Sequence, residues 1–359
     1  SHQDCTAFWG WRIMFDHPEF DGHETVVFSR DAASGLTAII AVHSTVLGPA
    51  FGGCRFWPYE DEGAALTDVL RLSRGMTYKA AICDLPLGGG KSVIMGDPGR
   101  DKTPALLHAM GRLVEGLGGR YIIADDIGTS LDDLAAMRAE TTHTAATTAA
   151  ARQPLAVTAF GVLAAIEAAV RHVLGRGDLA GLRVAVQGLG NVGLPLCEYL
   201  RARGAELIVC DIDPERAASA EREFAARAVP PDAIYEQQVD VFAPCALGAI
   251  LNDETIPRLG ARIVCGGANN QLLSPGHDLA LASRGITYIP DYLANAGGVI
   301  DFHQESIDDS PDAVMRAVTR IGDITADYLS RAADCGETVL RLTDRQVRQR
   351  LAESGPTAG

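Results

Sequence analysis

The chain is poor in positive charge. Its 359 residues carry 31 Lys and Arg against 46 Asp and Glu, a formal net charge of −15. Such a surface repels phosphate backbones and anionic lipid, so neither nucleic acid nor a membrane is expected as a partner. Long apolar runs are also missing: no window reads as the roughly 20 apolar residues of a membrane span. No basic stretch leads into an apolar run near the start, so no signal peptide is expected. The eight cysteines (5, 54, 83, 197, 210, 245, 265 and 335) form no C-x-x-C pair, and several fall in strand-like apolar runs. They read as reduced, buried thiols of a cytoplasmic protein. The nine histidines show neither H-x-x-x-H nor H-E-x-x-H spacing, so no metal site is expected.

What is present begins with length, enough for two domains with separate cores. Residues 183–211 then carry the clearest pattern. An apolar strand, Arg183–Gln187, runs into Gly188, Leu189, Gly190, Asn191, Val192 and Gly193, a helix, a second apolar strand and Asp211. That layout seats a dinucleotide. Gly188 permits the tight turn, Gly190 lets the backbone approach a pyrophosphate, and Gly193 brings the helix onto the sheet. The helix start offers free N–H groups to phosphate. Asp211, followed by Ile212, is placed to bond the adenosine ribose. A carboxylate there repels a 2′-phosphate, which favours NAD over NADP.

Strands are expected at 25–32, 37–45, 91–95 and 120–124 in the first third, with helices at 62–79, 103–117 and 130–139. After the small, polar stretch 141–154, a helix over 156–174 leads into strands at 183–187, 206–210, 239–242, 262–265 and 286–289. This is an α/β chain. A first α/β domain for substrate and oligomerisation (1–147) precedes a doubly wound Rossmann domain (148–325). C-terminal helices (326–359) are expected to pack back on the first domain.

A dinucleotide fold does not name a reaction. Residues 75–92 place Lys79 and Lys91 on either side of a glycine-rich turn. The ending Gly88–Ser92 is not a triphosphate-binding loop, because position 85 is Leu where that loop needs Gly. In an enclosed cleft, mutual repulsion and desolvation would together strip one lysine of its proton and leave the other to grip a carboxylate. On an open surface both would simply be solvated. Asp125 and Asp126 follow a strand, where the cleft of an α/β sheet lies. One suits proton transfer at an amine, and the other suits a cap or solvent.

Several stretches together resemble the glutamate/leucine/phenylalanine/valine dehydrogenase superfamily, most of all its leucine and valine members, with tryptophan and phenylalanine members near. They are 47–55, 75–79, 88–91, 126–129, 187–193, 242–248, 267–270 and 290–298. The resemblance spans about residues 22 to 351. It implies NAD-dependent reversible oxidative deamination of an apolar L-amino acid to a 2-oxo acid and ammonia, in a homo-oligomer. By that resemblance Lys79, with the backbone of Gly52 and Gly53, binds the substrate carboxylate. Lys91 is the uncharged amine that activates water, Asp126 moves protons at the amino group, and Asn295 holds substrate and nicotinamide. Thr158, Arg55, Ala268 and Asn269 lie near the cofactor. The side-chain pocket is expected from the region after Phe51, from around Ala124, and from a helix near 312–325. The Ala/Thr-rich junction with Arg152 and Gln153 departs from the family's glycine-rich one, and Phe8, Trp9 and Trp11 fall outside the match. A pathway-specific relative acting on an unusual oxo acid or imine, or a non-catalytic dinucleotide sensor, are the alternatives.

Overall fold

The structure, a computed structural model, describes residues 14–145, 154–308 and 310–355. The aromatic N-terminus and most of the junction expected at 141–154 lie outside the described residues.

The first domain is built on a five-stranded sheet. Strands β1 (Thr25–Asp31) and β2 (Leu36–Ser44) form an antiparallel hairpin. Strand β3 (Ala50–Trp57) follows, then helix α1 (Glu62–Ile82), β4 (Gly88–Met95), α2 (Pro104–Glu115), β5 (Tyr121–Asp125) and α3 (Leu131–Met137). The sheet order is β1-β2-β4-β3-β5. Helix α1 covers one face, with Val69 and Leu70 on Ile39, Ala41 and Val93. Helices α2 and α3 cover the other, with Leu106, Met110 and Met137 against Ile40, Phe56 and Ile94. Burial of both faces explains why β2 reads as a continuous apolar run rather than an alternating one.

Strand β3 went unread in the sequence because two adjacent glycines weaken a strand. Here the glycines are what the packing requires. A Cβ on Gly52 would lie 1.8 Å from the Gly90 carbonyl oxygen, and one on Gly89 would lie 2.0 Å from the Thr77 amide nitrogen. Without side chains at these points, β3, β4 and α1 press together.

The second domain starts with α4 (Pro154–Leu174). Then come β6 (Arg183–Gln187), α5 (Gly193–Ala202), β7 (Glu206–Cys210), α6 (Pro214–Phe224), β8 (Arg227–Ala228), β9 (Val239–Pro244), β10 (Ala261–Val264), α7 (His277–Ser283) and β11 (Thr287–Tyr288). The six strands run β11-β10-β9-β6-β7-β8, and every pairing is parallel. Strand order reverses at β6, so the crevice beyond its carboxyl end is the binding edge of the sheet. The chain closes with α8 (Asp291–Ala294), α9 (Gly297–Glu305), α10 (Pro311–Cys335) and α11 (Val339–Ser354).

Two expectations change. Residues 156–174 are, by length and composition, apolar enough to cross a membrane. They form instead a largely enclosed core helix, with Val162, Ile166 and Val170 buried in the cluster that also holds Leu196, Val299 and Val318. A helix covered on most sides is apolar all round for that reason. The C-terminal region also divides differently. Helix α10 runs unbroken through position 325 and packs on α4, and α11 packs on α1 of the first domain. There Tyr78 donates to Asp344 at 2.5 Å, Arg350 donates to the Ala81 carbonyl at 2.9 Å, and Arg348 pairs with Asp21 at 2.8 Å.

Candidate active site

The two domains face each other across a cleft of about 280 Å³. The first domain contributes the last turns of α1, the middle of β3 and β4, and the end of β5. The cleft is lined from that side by Phe51, Gly53, Lys79, Lys91, Ala124 and Asp126. Thr158, Val192, Gly267, Asn269, Asn295 and Val299 line it from the other. The sequence-read lysines, acid and asparagine are thus brought to one place.

Asp126 is the electrostatic centre. Lys91 Nζ lies 2.6 Å from its Oδ2, and Arg55 Nε lies 3.2 Å from the same oxygen. Burial pushes its carboxyl up, but Lys91 and Arg55 outweigh burial and hold it well below the usual carboxylate range. Arg55 is itself braced by Asp68 at 2.7 Å. The guanidinium expected near the cofactor therefore stands behind Asp126 and fixes it. The Asp126 N–H donates to Thr129 Oγ1 at 2.9 Å, and that hydroxyl donates to the Cys54 carbonyl at 2.7 Å. Loop and strand are thereby tied at the acid.

The two lysines differ in their partners. Lys91 lies against the Asp126 carboxylate. Lys79 is the lysine whose proton is loosened. Desolvation first, with repulsion from Lys91, lowers it to about 8 against the attraction of Asp291. The physical reason is the partner. Lys91 has a carboxylate in contact, whereas Lys79 Nζ donates to the neutral Asn269 Oδ1 at 3.0 Å.

Asn269 also accepts from Asn295 Nδ2 at 2.9 Å, and Asn295 donates to the Gly267 carbonyl at 3.1 Å. Asn295 Oδ1 is buried with no hydrogen-bond partner among the described residues. A buried acceptor left in this state is costly unless a ligand supplies the donor. Gly52 lies deeper in the sheet, its carbonyl accepting from the Tyr121 hydroxyl at 2.7 Å. Gly53 is at the surface of the cleft, where a Cβ would be 3.2 Å from Lys91 Nζ.

The glycine turn has the features of a phosphate cradle. Gly188 has φ of 91°, and a Cβ on Gly193 would strike the Gly188 carbonyl oxygen at 1.8 Å. Above Gly190 only Arg216 Nη1 comes close among the described residues, 3.8 Å from the Cβ position. No side chain caps the start of α5, where the Leu194 N–H donates to the Gly190 carbonyl at 3.1 Å and Pro195 has no N–H, so it is the backbone of the turn that would meet a phosphate. Asp211 accepts from the Leu189 N–H at 2.6 Å and from the Asp213 N–H at 2.9 Å, which sets its carboxylate beside the turn. The residues present fit a dinucleotide. Ile212 is 93% exposed on the far side of Asp211, and Ala268 is buried, its N–H donating to the Pro244 carbonyl at 2.9 Å.

A sequence profile described as Glu/Leu/Phe/Val dehydrogenase, dimerisation domain, matches residues 23–143. A second, for Glutamate/Leucine/Phenylalanine/Valine dehydrogenase, matches 152–215 and 209–318. The chain belongs to the Glu/Leu/Phe/Val dehydrogenase family. Among its relatives, a leucine dehydrogenase of Bacillus cereus is 45% identical over 342 residues, covering 94% of this chain and 93% of that one. A valine dehydrogenase of Streptomyces coelicolor is 43% identical over 346 residues, covering 95% of each. The crystal structure of L-tryptophan dehydrogenase from Nostoc punctiforme superposes with a TM-score of 0.77 at 44% identity, covering 93% of this chain and 96% of that one. As a member of this family the chain is a dinucleotide-binding oxidoreductase of the amino acid dehydrogenase class.

Against this family background, sequence reasoning misplaced one wall of the dehydrogenase cleft. The helix lining it is α9, through Gly298, Val299 and Phe302, and not one near 312–325. Helix α10 lies on α4 instead, with Val318 and Ile321 in the core. The signal for α9 was available: Val299 and Phe302 stand three residues apart, on one helical face, directly after Asn295. Arg216 was also passed over, being in α6 beyond the fingerprint.

Proposed function

We propose that the protein catalyses reversible oxidative deamination of an apolar L-amino acid to its 2-oxo acid and ammonia, using NAD. The observation that carries this reading is the meeting of Lys79, Lys91, Asp126 and Asn295 in one cleft that ends at the glycine turn. Carboxylate-handling and amine-handling groups stand there beside a dinucleotide cradle. The cofactor would be held by Gly188–Gly193 and Asp211, with Thr158, Asn269 and Ala268 toward its nicotinamide end. When bound, its nicotinamide ring takes up the hydride released by the substrate α-carbon. Asp211 supports NAD, because its carboxylate beside the turn repels a 2′-phosphate.

The chain's own residues perform the rest. Lys79 in its ammonium form, with the Gly53 backbone, pairs with the substrate carboxylate. The unpartnered Oδ1 of Asn295 accepts an N–H of the substrate amino group. Asp126 exchanges the proton of that group. Lys91, in contact with Asp126, activates water toward the iminium carbon: the water oxygen bonds that carbon, the C=N pair passes to nitrogen, and the water proton goes to the uncharged Lys91 amine. Ammonia then departs and the 2-oxo acid remains. Apposition of the two walls excludes bulk water from the reacting atoms.

The description of the first domain as a dimerisation domain supports a homo-oligomer. The function is tested by offering a panel of apolar 2-oxo acids with NADH and ammonia and following NADH oxidation. Turnover is expected. Failure with every proteinogenic oxo acid would favour the pathway-specific alternative.

A further inference from the structure

The apolar end of the cleft is closed by two phenylalanines, one from each domain. Phe51 is on β3 and Phe302 on α9, and both line the cleft that holds the lysines. Their ring centroids are 3.9 Å apart and their planes differ by 11°. At that separation the rings are in van der Waals contact and no atom passes between them. Phe51 is 6% exposed, so its ring has nowhere to retreat without disturbing the core. The remaining apolar lining is aliphatic, with Met76, Leu131, Val192 and Val299 beside Ala124 and Ala145.

Resting on the deaminase reading above, we propose that the Phe51–Phe302 stack is a floor that sets substrate length: the enzyme selects short, β-branched or unbranched aliphatic amino acids and rejects longer and aromatic ones. The size of the cleft agrees. Its volume of about 280 Å³ must serve the substrate and the nicotinamide edge together. That falls below the roughly 300–1,000 Å³ of pockets that enclose a drug-sized ligand. On this proposal a side chain that ends at its γ-carbons leaves the rings in contact. One further methylene, or any ring, has to part them. The relatives' names do not decide the matter, since leucine, valine and tryptophan dehydrogenases are similar to this chain to nearly equal degrees. The stack is a property of this chain's own side chains.

The test is kcat/KM for 2-oxobutyrate, 2-oxoisovalerate, 2-oxoisocaproate and phenylpyruvate, with NADH and ammonia, in the full-length enzyme and in Phe302→Val and Phe51→Leu. The unmodified enzyme is expected to favour 2-oxoisovalerate over 2-oxoisocaproate by about 10-fold or more, the low end of what one methylene decides in an apolar pocket. Its margin over phenylpyruvate should be larger. Either variant is expected to erase or invert the first ratio while leaving the KM for NADH within about twofold. Two variants from opposite walls guard against one that folds poorly. Equal or better use of 2-oxoisocaproate or phenylpyruvate by the unmodified enzyme overturns the length floor and leaves the deaminase reading intact. So does an unchanged ratio in both variants. Absence of turnover with all four acids, by contrast, strikes at the deaminase reading itself.

Discussion

The wall of the cleft supplied by the first domain holds Asp126, Lys91 and Arg55 already paired, whereas the wall supplied by the second keeps polar groups in reserve. On the first, Asp126 is gripped by Lys91 and Arg55, and Arg55 by Asp68. On the second, Asn295 Oδ1 is buried without a partner among the described residues, and the start of α5 carries no side-chain cap. The difference separates two tasks. Proton-handling groups must be held in place before the substrate arrives, because reorganising them during reaction would raise the barrier. Groups that bind a ligand gain affinity when their satisfaction comes from the ligand alone.

The largest expected effect comes from breaking the paired wall. Lys91→Ala should lower kcat by at least about 10²-fold, the scale of general acid–base catalysis, while NAD binding measured by fluorescence or calorimetry is kept. Activity within tenfold of the parent would show that Lys91 is not the group activating water. On the other wall, Asp211→Ala should relax the rejection of NADPH by roughly tenfold or more, since one charge repulsion at the ribose is removed. Unchanged cofactor selectivity would remove Asp211 from that role.

A pH titration sharpens the contrast between the lysines. Lys79, lowered to about 8 by desolvation, is charged below that value and neutral above it. An unreactive short carboxylate should therefore bind well at pH 7 and lose affinity by up to about tenfold per pH unit above pH 8. Constant affinity to pH 10 would place the carboxylate on another group. The smallest effect is on stability. His23 and His43 are buried with ring centroids 4.8 Å apart, and His43 Nδ1 lies 2.8 Å from Thr77 Oγ1. Desolvation, then His23, drives His43 down to about 3, and desolvation lowers His23 as well. Unfolding releases both to titrate near 6.5. The contribution of His43 is complete above that pH and is lost as pH falls from it toward about 3, by up to about 1.4 kcal/mol per pH unit, and His23 acts in the same direction. Urea unfolding at pH 7 and pH 5 measures it. Equal stabilities would mean that the pair is not held neutral.

Local signals were legible and tertiary ones were not. The turn at Gly188–Gly193 and the acid at Asp211 could be read because strand, turn and helix follow one another in the chain. Lys79, Lys91, Asp126 and Asn295 were identified through their neighbours in sequence. The contact of Lys91 with Asp126 was not readable, since that acid comes from a different strand end. Strand β3 was hidden because Gly52 is explained only by the Gly90 carbonyl against it. The pocket helix was misassigned because both α9 and α10 have apolar faces, and only the fold decides which of them meets the cleft. Residues 156–174 were read simply as a helix, and their enclosure by α10, α9 and α5 accounts for how apolar they are.

The return of α11 to α1 has a mechanical outcome. The polypeptide passes between the domains twice, once after β5 and α3 and once through α10 into α11, and the second passage is clamped at Tyr78, Ala81 and Asp21. Lys79 directly follows the clamped Tyr78 in α1, so the anchor proposed for the carboxylate stands on a turn of helix that the last element of the chain holds from behind.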